Sequence, residues 1–286
     1  MKVLITGSNG QLGNSLNKCA DAYPDIEVIY TDVSELDITN RADLDNYFKS
    51  TTINYLINCA GYTAVDKAEE DPEQARLINT IAVDNLAYFS KKHGFTLIQI
   101  STDYVFSGQH YRPYTEEDNT AGNGVYAKTK AEAEDIVFEK TLDGIVLRTS
   151  WLYSEFGNNF LKTILKLADD RDELRIIADQ IGTPTYAGDL AEAALEIIHQ
   201  NYKEKAVFNF SNEGIASWYD FANEIVNLSG KKCEVTPIST EEYPLPAPRP
   251  FYSVMSKKKF TDTFKVKIPH WKDSLFLCLQ NMGELG

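Results

Sequence analysis

The chain has 286 residues, enough for one large or two modest domains with a real core. At 43% apolar and 24% charged residues it has the composition of a soluble globular protein, and its net charge of -14 would repel nucleic acid and anionic membrane surfaces. Cys19, Cys59, Cys233 and Cys278 lack zinc-like spacing, no apolar run is long enough to span a membrane, and Met1 leads straight into a strand pattern; a reduced, cytoplasmic protein without a signal peptide is expected.

Val3 to Thr6 predicts a first strand, followed at once by Gly7-Ser8-Asn9-Gly10-Gln11-Leu12-Gly13. Glycines at this spacing allow a tight turn, let the backbone approach a pyrophosphate and let the next helix pack close, with its N-terminal amides facing the phosphates. A glycine triplet can also be a mere turn. Its place between first strand and first helix favours a dinucleotide. Glu27 to Tyr30 predicts the second strand, and Asp32 just beyond it suits a ribose hydroxyl acceptor that would repel a 2′-phosphate. NADH is therefore favoured, with NADPH left open by Lys18. Asp37 and Ile38 are candidates for the adenine side of the pocket.

Tyr55 to Asn58 reads as the third strand, and a long helical pattern runs from Asp66 to Lys92. The pattern closes on Tyr88 and Lys92, four residues apart, as a half-buried helix end with a cation favouring its C-terminus. Leu97 to Ile100 reads as a strand that runs into Ser101-Thr102-Asp103, where Asp103 could simply cap a turn. After a loop rich in Gly, Asn, Pro and Tyr, Tyr126 opens a helix with Lys130 one turn later. An ammonium beside the phenol would lower its pKa of ~10 by ~1 to 3 units, which makes a general acid/base. Tyr88 and Lys92 share this spacing; what distinguishes Tyr126 is its position beside a strand end and a loop.

Ile145 to Leu147 predicts a further strand, followed by Trp151, either a core anchor or a site residue. Helices are expected at Phe160 to Ala168, Gly188 to His199 and Ser217 to Leu228, and the Pro-rich stretch Tyr243 to Pro250 excludes regular structure. Arg249, between two prolines, is a solvated loop charge or a contact for an anionic substrate's diphosphate; the second is preferred, because an anionic ligand of an acidic protein needs a local cation. Lys257-Lys258-Lys259 reads as a solvated face. The four histidines have no metal-ligand spacing and are assigned no role.

Alternating strands and helices predict an α/β fold with a doubly wound, Rossmann-like parallel sheet. Residues 1–150 plus about 186–210 are expected to bind the dinucleotide. Residues 151–185 plus about 211–286 would form a smaller, partly interleaved substrate domain.

With these residues in hand, the chain resembles the extended short-chain dehydrogenase/reductase family over nearly its whole length. The resemblance rests on the glycine loop, on Asn58-Cys59-Ala60-Gly61-Tyr62-Thr63-Ala64-Val65-Asp66-Lys67-Ala68-Glu69, on Ser101-Thr102-Asp103-Tyr104-Val105-Phe106, on Tyr126 with Lys130, and on three later motifs. These are Arg148-Thr149-Ser150-Trp151-Leu152-Tyr153, Gln180-Ile181-Gly182-Thr183-Pro184-Thr185 and Arg249-Pro250-Phe251-Tyr252-Ser253. It implies a cofactor site of Gly7, Gly10, Gln11 and Leu12 at the pyrophosphate, Asp32, Asp37 and Ile38 at the adenosine, and Ala60, Gly61, Tyr62 and Thr63 at the centre. Tyr126 would be the proton donor, Lys130 would hold the nicotinamide ribose and lower the Tyr126 pKa, and Thr102 would polarise the carbonyl. Asp103 and Trp151 would look towards a sugar.

The implied reaction is hydride transfer from NADH or NADPH to C4 of a dTDP-bound 6-deoxy-4-keto-hexose, giving dTDP-L-rhamnose. An epimerase or dehydratase of the same superfamily, or a non-catalytic dinucleotide-binding regulatory subunit, are the alternatives. Some members are magnesium-bridged dimers using carboxylates at positions that align with Ser15 and Gly188. Their absence predicts no metal and a monomer.

Overall fold

The structure is a computed structural model describing residues Met1–Gly286. Six parallel strands form the central sheet: β1 (Lys2–Thr6), β2 (Glu27–Thr31), β3 (Tyr55–Asn58), β4 (Thr96–Thr102), β5 (Ile145–Thr149) and β6 (Ala206–Asn209), in the order β6-β5-β4-β3-β1-β2. Parallel sheets are covered on both faces, which is why these strands read as unbroken apolar runs. Successive side chains of β1 go opposite ways: Val3 and Ile5 enter one core with the helices Gln11–Cys19 and Ala187–His199, while Leu4 enters the other with Arg41–Ser50, Ala82–His93 and Val125–Lys140. Each fully buried Leu or Ile there contributes on the order of 2 kcal/mol.

The chain runs outward from β1 to β2, then returns across β1 to build β3, β4 and β5 on the other side. Strand direction reverses its walk between β1 and β3, and open α/β sheets bind ligands at the carboxyl ends beside such a switch point. Those ends carry the glycine loop, Asp32, Cys59 to Thr63, Thr102 and Trp151. The expected doubly wound sheet is thus present, and β6 joins its edge in parallel with β5.

A third core gathers Tyr153, Leu161, Ile164, Phe221, Ile225, Trp271, Leu275 and Leu279 beneath the helices Phe160–Asp170, Trp218–Leu228 and Trp271–Met282. Its sheets are small: Glu173–Ile177 with Glu234–Ile238, and two-residue ladders joining Ile181–Gly182 to Ala216–Ser217 and Leu152–Tyr153 to Thr185–Tyr186. Residues 243 to 250 form neither helix nor strand, as the prolines dictate.

One element departs from expectation. The pattern from Asp66 to Lys92 is not one helix but Val65–Glu70, Pro72–Arg76, a π turn at Leu77–Ile81 and Ala82–His93. Pro72 cannot continue the first helix, and Asp71 Oδ1 caps the second by accepting from the Gln74 amide at 3.1 Å. The π turn carries buried Asn79, whose carboxamide accepts from the Tyr62 amide (2.8 Å) and donates to the Tyr62 carbonyl (3.1 Å) and to Thr129 Oγ1 (3.2 Å). It ties the loop after β3 to the helix bearing Tyr126.

Candidate active site

The glycine loop leaves β1 through Gly7 at φ 67°, where a Cβ would lie 2.6 Å from the Ala60 nitrogen. At Gly13 a Cβ would lie 2.4 Å from the Ser8 carbonyl oxygen, so only glycine lets the helix sit this close to the loop. The result is a cleft of about 540 Å³ lined by Gly7, Gly10, Asp32, Asp37, Ile38, Ala60 and Gly61 among others. An extended, anionic dinucleotide fits this donor set: close-approach glycines, a helix N-terminus and a carboxylate at the strand end.

Asp32 accepts from the Asn9 amide at 2.9 Å and from the Val33 amide at 2.8 Å, which fixes it against the loop. Glu35 lies beside it, accepting from the Asp32 amide at 2.9 Å. Lys18, the residue expected to leave NADPH open, does not line this cleft and pairs with Glu155 at 2.7 Å. Asp37 Oδ1 accepts from the Thr39 amide and hydroxyl, and Ile38 is buried. Gln11 Oε1 accepts from Ser154 Oγ at 3.0 Å and Asn159 Nδ2 at 2.8 Å, bridging the loop to the third core's segment. Leu12 points into the core, and Tyr62 and Thr63 follow Gly61 out of the cleft.

Tyr126 is the second residue of Val125–Lys140, whose first amide, Val125 N, donates to Glu69 Oε1 at 2.7 Å. The acidic stretch at 66 to 71 therefore does more than open its own helix: Glu69 caps the neighbouring one. Burial pushes the Tyr126 phenol up to about 12, the Thr102 hydroxyl pulls the other way, and the Asp103 carboxylate adds to the rise. This reverses the expected effect of Lys130, which is not among the groups that shift Tyr126. Lys130 Nζ instead donates to the Ile100 carbonyl at 2.6 Å, and burial brings its pKa down to about 8, opposed by Glu134 and Cys59. It remains mostly charged at neutral pH. Desolvation is the largest influence on both groups, raising the phenol and lowering the ammonium.

Thr102 ends β4 and accepts from the Tyr104 amide at 3.2 Å while donating to Asp103 Oδ1 at 3.1 Å. It is thus Thr102 and not Asp103 that caps the turn. Asp103 is buried, and burial lifts its carboxyl to about 6 against the lowering effects of Ser253 and Thr102. Its Oδ2, like Ser253 Oγ, has no hydrogen-bond partner of good geometry. The two side chains lie close enough for Ser253 to lower the Asp103 carboxyl, so the pair is held together at the end of the strand.

Arg249 is neither solvated nor free. It grips Asp66 through both terminal nitrogens at 2.6 Å each, its side chain only 14% exposed, and holds Asp66 below the usual carboxylate range. Trp151 is half-buried and stacks on Trp218. Lys257 corrects another expectation: it is buried and reaches Glu213 at 3.4 Å, whereas Lys258 pairs with Asp262 on the surface.

Tyr88 and Lys92 lie outside the site, Tyr88 under Arg41 and Lys92 paired with Asp45 at 2.8 Å. Sequence reasoning missed Trp218, Asn79, and Tyr104, which meets Tyr126 edge-on at 5.6 Å. It also missed the buried pair Glu134–Arg148 (2.6 Å) behind Lys130, signalled by Glu134 standing one further turn along the helix. No group of three or more His, Cys, Asp or Glu is placed to hold a metal.

The profile of the family described as RmlD substrate binding domain matches residues 1–284. A dTDP-4-dehydrorhamnose reductase of Sinorhizobium fredii is 37% identical over 283 residues, covering 96% of this chain and 95% of the relative. Among solved structures, the dTDP-4-dehydrorhamnose reductase of Clostridium acetobutylicum superimposes with a TM-score of 0.94 at 43% identity over 99% of this chain and 100% of its own. That of Bacillus anthracis, solved in complex with NADP, gives 0.92 at 36% identity over 98% and 99%.

Proposed function

The chain belongs to the RmlD substrate binding domain family, and on that premise we propose that it reduces the 4-keto group of dTDP-4-dehydro-6-deoxy-L-mannose to dTDP-L-rhamnose with NADH or NADPH. The observation that carries this is the convergence of Thr102, Asp103 and Tyr126 at the carboxyl edge of the sheet that also bears the dinucleotide cleft.

The nicotinamide, when bound, supplies the hydride. As charge builds on the carbonyl oxygen the Thr102 hydroxyl turns its proton from Asp103 Oδ1 to that oxygen, and Tyr126 delivers the proton that makes the alcohol. A phenol held near 12 is protonated at neutral pH, the form a donor needs, yet it is a stronger acid than the alcohol formed when it protonates the alkoxide. Lys130, oriented by the Ile100 carbonyl, keeps its remaining N–H bonds for the ribose hydroxyls. Gly7, Gly10, Gln11 and Leu12 hold the pyrophosphate through loop and helix amides, Asp32, Asp37 and Ile38 flank the adenosine, and Ala60, Gly61, Tyr62 and Thr63 border the central cofactor. Asp103 and Trp151 receive the sugar. Arg249, through its clamp on Asp66, holds the Pro-rich segment beside the substrate's diphosphate.

Residues 1–150 with about 186–210 serve the dinucleotide, and 151–185 with about 211–286 the sugar nucleotide. Without carboxylates at 15 and 188 the enzyme works as a metal-independent monomer; loss of activity or splitting of a dimer on EDTA treatment would refute that. The test of the function is incubation with the 4-keto-6-deoxy sugar nucleotide, generated in place by upstream enzymes, while NADH and NADPH oxidation are followed separately. Stoichiometric oxidation of one of them supports the proposal; dinucleotide binding without oxidation contradicts it.

A further inference from the structure

Trp151 has a left-handed backbone, φ 46°, which is costly for a residue with a bulky side chain. Such strain persists only where the surroundings over-determine it, and it concentrates at functional sites. Two neighbours supply the constraint. The indole of Trp218 stacks on that of Trp151 with centroids 3.6 Å apart and planes 8° from parallel. Gly182 meets the edge of the same ring so closely that a Cβ would fall 2.6 Å from Trp151 Cε2 and 2.9 Å from Ser253 Oγ.

Trp218 is itself fixed from both sides along the chain. Ala216 and Ser217 pair with Gly182 and Ile181 in a two-residue antiparallel ladder, which sets the separation of Trp218 from Gly182. Trp218 then opens the helix Trp218–Leu228, whose capping box has the Asp220 amide donating to Ser217 Oγ at 3.0 Å and the Ser217 amide donating to Asp220 Oδ2 at 2.8 Å, and Phe160 packs on its ring with centroids 4.7 Å apart. Trp218 covers one face of Trp151 and Gly182 closes an edge, yet Trp151 remains half-exposed. The covered assembly connects to the reacting centre, because Ser253, against Gly182, also adjoins Asp103, the neighbour of Thr102.

Resting on the substrate class proposed above, we propose that Trp218 is a positioning residue: it backs Trp151 so that the free indole face forms a fixed, flat platform for the C–H face of the 6-deoxyhexose ring. Carbohydrate C–H faces pack on aromatic rings, and a ring already immobilised loses less entropy when the ligand arrives. The platform acts on sugar binding. It touches neither the dinucleotide nor the transferred proton.

Stacked indoles give a coupled far-ultraviolet circular dichroism signal that reports the pair directly. In the full-length protein, a dTDP-hexose should perturb this signal and dTDP alone should not. Trp218→Leu should abolish the signal and raise KM for the sugar nucleotide about tenfold, leaving KM for the dinucleotide unchanged and kcat within about threefold. Trp218→Phe should also abolish the signal but keep the sugar KM within about threefold of the parent, since a phenyl ring still stacks. Equal sugar KM values for the Leu and Phe variants, or a dTDP-hexose that leaves the parent signal untouched, would overturn the proposal. Failure of the reductase assignment looks different: the signal would respond to the dTDP-hexose while no dinucleotide is consumed.

Discussion

On the dinucleotide side of the cleft, the lining residues come from the carboxyl ends of neighbouring parallel strands and are fixed by backbone: glycines at van der Waals limits, Asp32 against the Asn9 amide, Ala60 against Gly7. On the side we assign to the sugar they come from segments far apart in the chain and are fixed by side chains: Arg249 on Asp66, Trp218 on Trp151, Ser253 beside Asp103. A sheet with fixed register positions a ligand common to many enzymes at little sequence cost. The particular sugar is left to contacts between irregular segments, each changeable without disturbing the sheet.

The comparison breaks most visibly at the residue both sides share. Tyr126→Phe should lower kcat by ~10² to 10⁴ with dinucleotide affinity little changed, measured by steady-state kinetics and by titration of bound NADH. Near-normal turnover would remove Tyr126 from the proton transfer. Lys130→Met should harm both rate and dinucleotide binding, and it carries a pH signature. Burial lowers the folded-state pKa of Lys130 to about 8 from 10.5, so between these values the unfolded chain binds the extra proton and stability rises with pH. Urea unfolding followed from pH 8 upward should show this rise in the parent and a smaller one in Lys130→Met.

On the sugar side, Arg249→Ala and Asp66→Ala should each raise KM for the sugar nucleotide by roughly tenfold, and the double variant should be no worse than either alone, because each single change already opens the clamp. Additive effects would mean that Arg249 and Asp66 act separately. On the dinucleotide side, Asp32→Ala should shift the NADH-to-NADPH ratio of kcat/KM towards NADPH by about tenfold. An unchanged ratio would place ribose recognition elsewhere, with Glu35 the next residue to test. The smallest effect belongs to the spacing twin outside the cleft: Tyr88→Phe and Lys92→Met should leave kcat/KM within about twofold.

The same contrast explains what was legible in the sequence. Strands such as Tyr55–Asn58 announce themselves as short apolar runs, and the glycine loop announces its turn, because both depend on neighbours in sequence. Placement of Asp32, Asp37, Ile38, Ala60 and Gly61 along one cleft follows from the parallel topology alone. Contacts closing over long sequence distances leave no such trace: Arg249 and Asp66 are 183 residues apart, and nothing in either local pattern names its partner. Lys130 shows a subtler failure. Its helical spacing from Tyr126 was readable, but whether the ammonium or burial governs the phenol depends on what covers them, and covering is a tertiary property. The break at Asp71-Pro72 was visible in the letters, whereas the π turn that aims Asn79 inward was not.

Reduction at the sugar's C4 by hydride from the dinucleotide is the claim on which the rest depends, and labelled cofactor tests it most directly. With NADH carrying deuterium at the transferred position of its nicotinamide, mass spectrometry and proton NMR of the sugar nucleotide should show one deuterium at C4 for every NADH oxidised. An unlabelled sugar product, or an isomerised sugar formed with no net oxidation of NADH, would contradict the account.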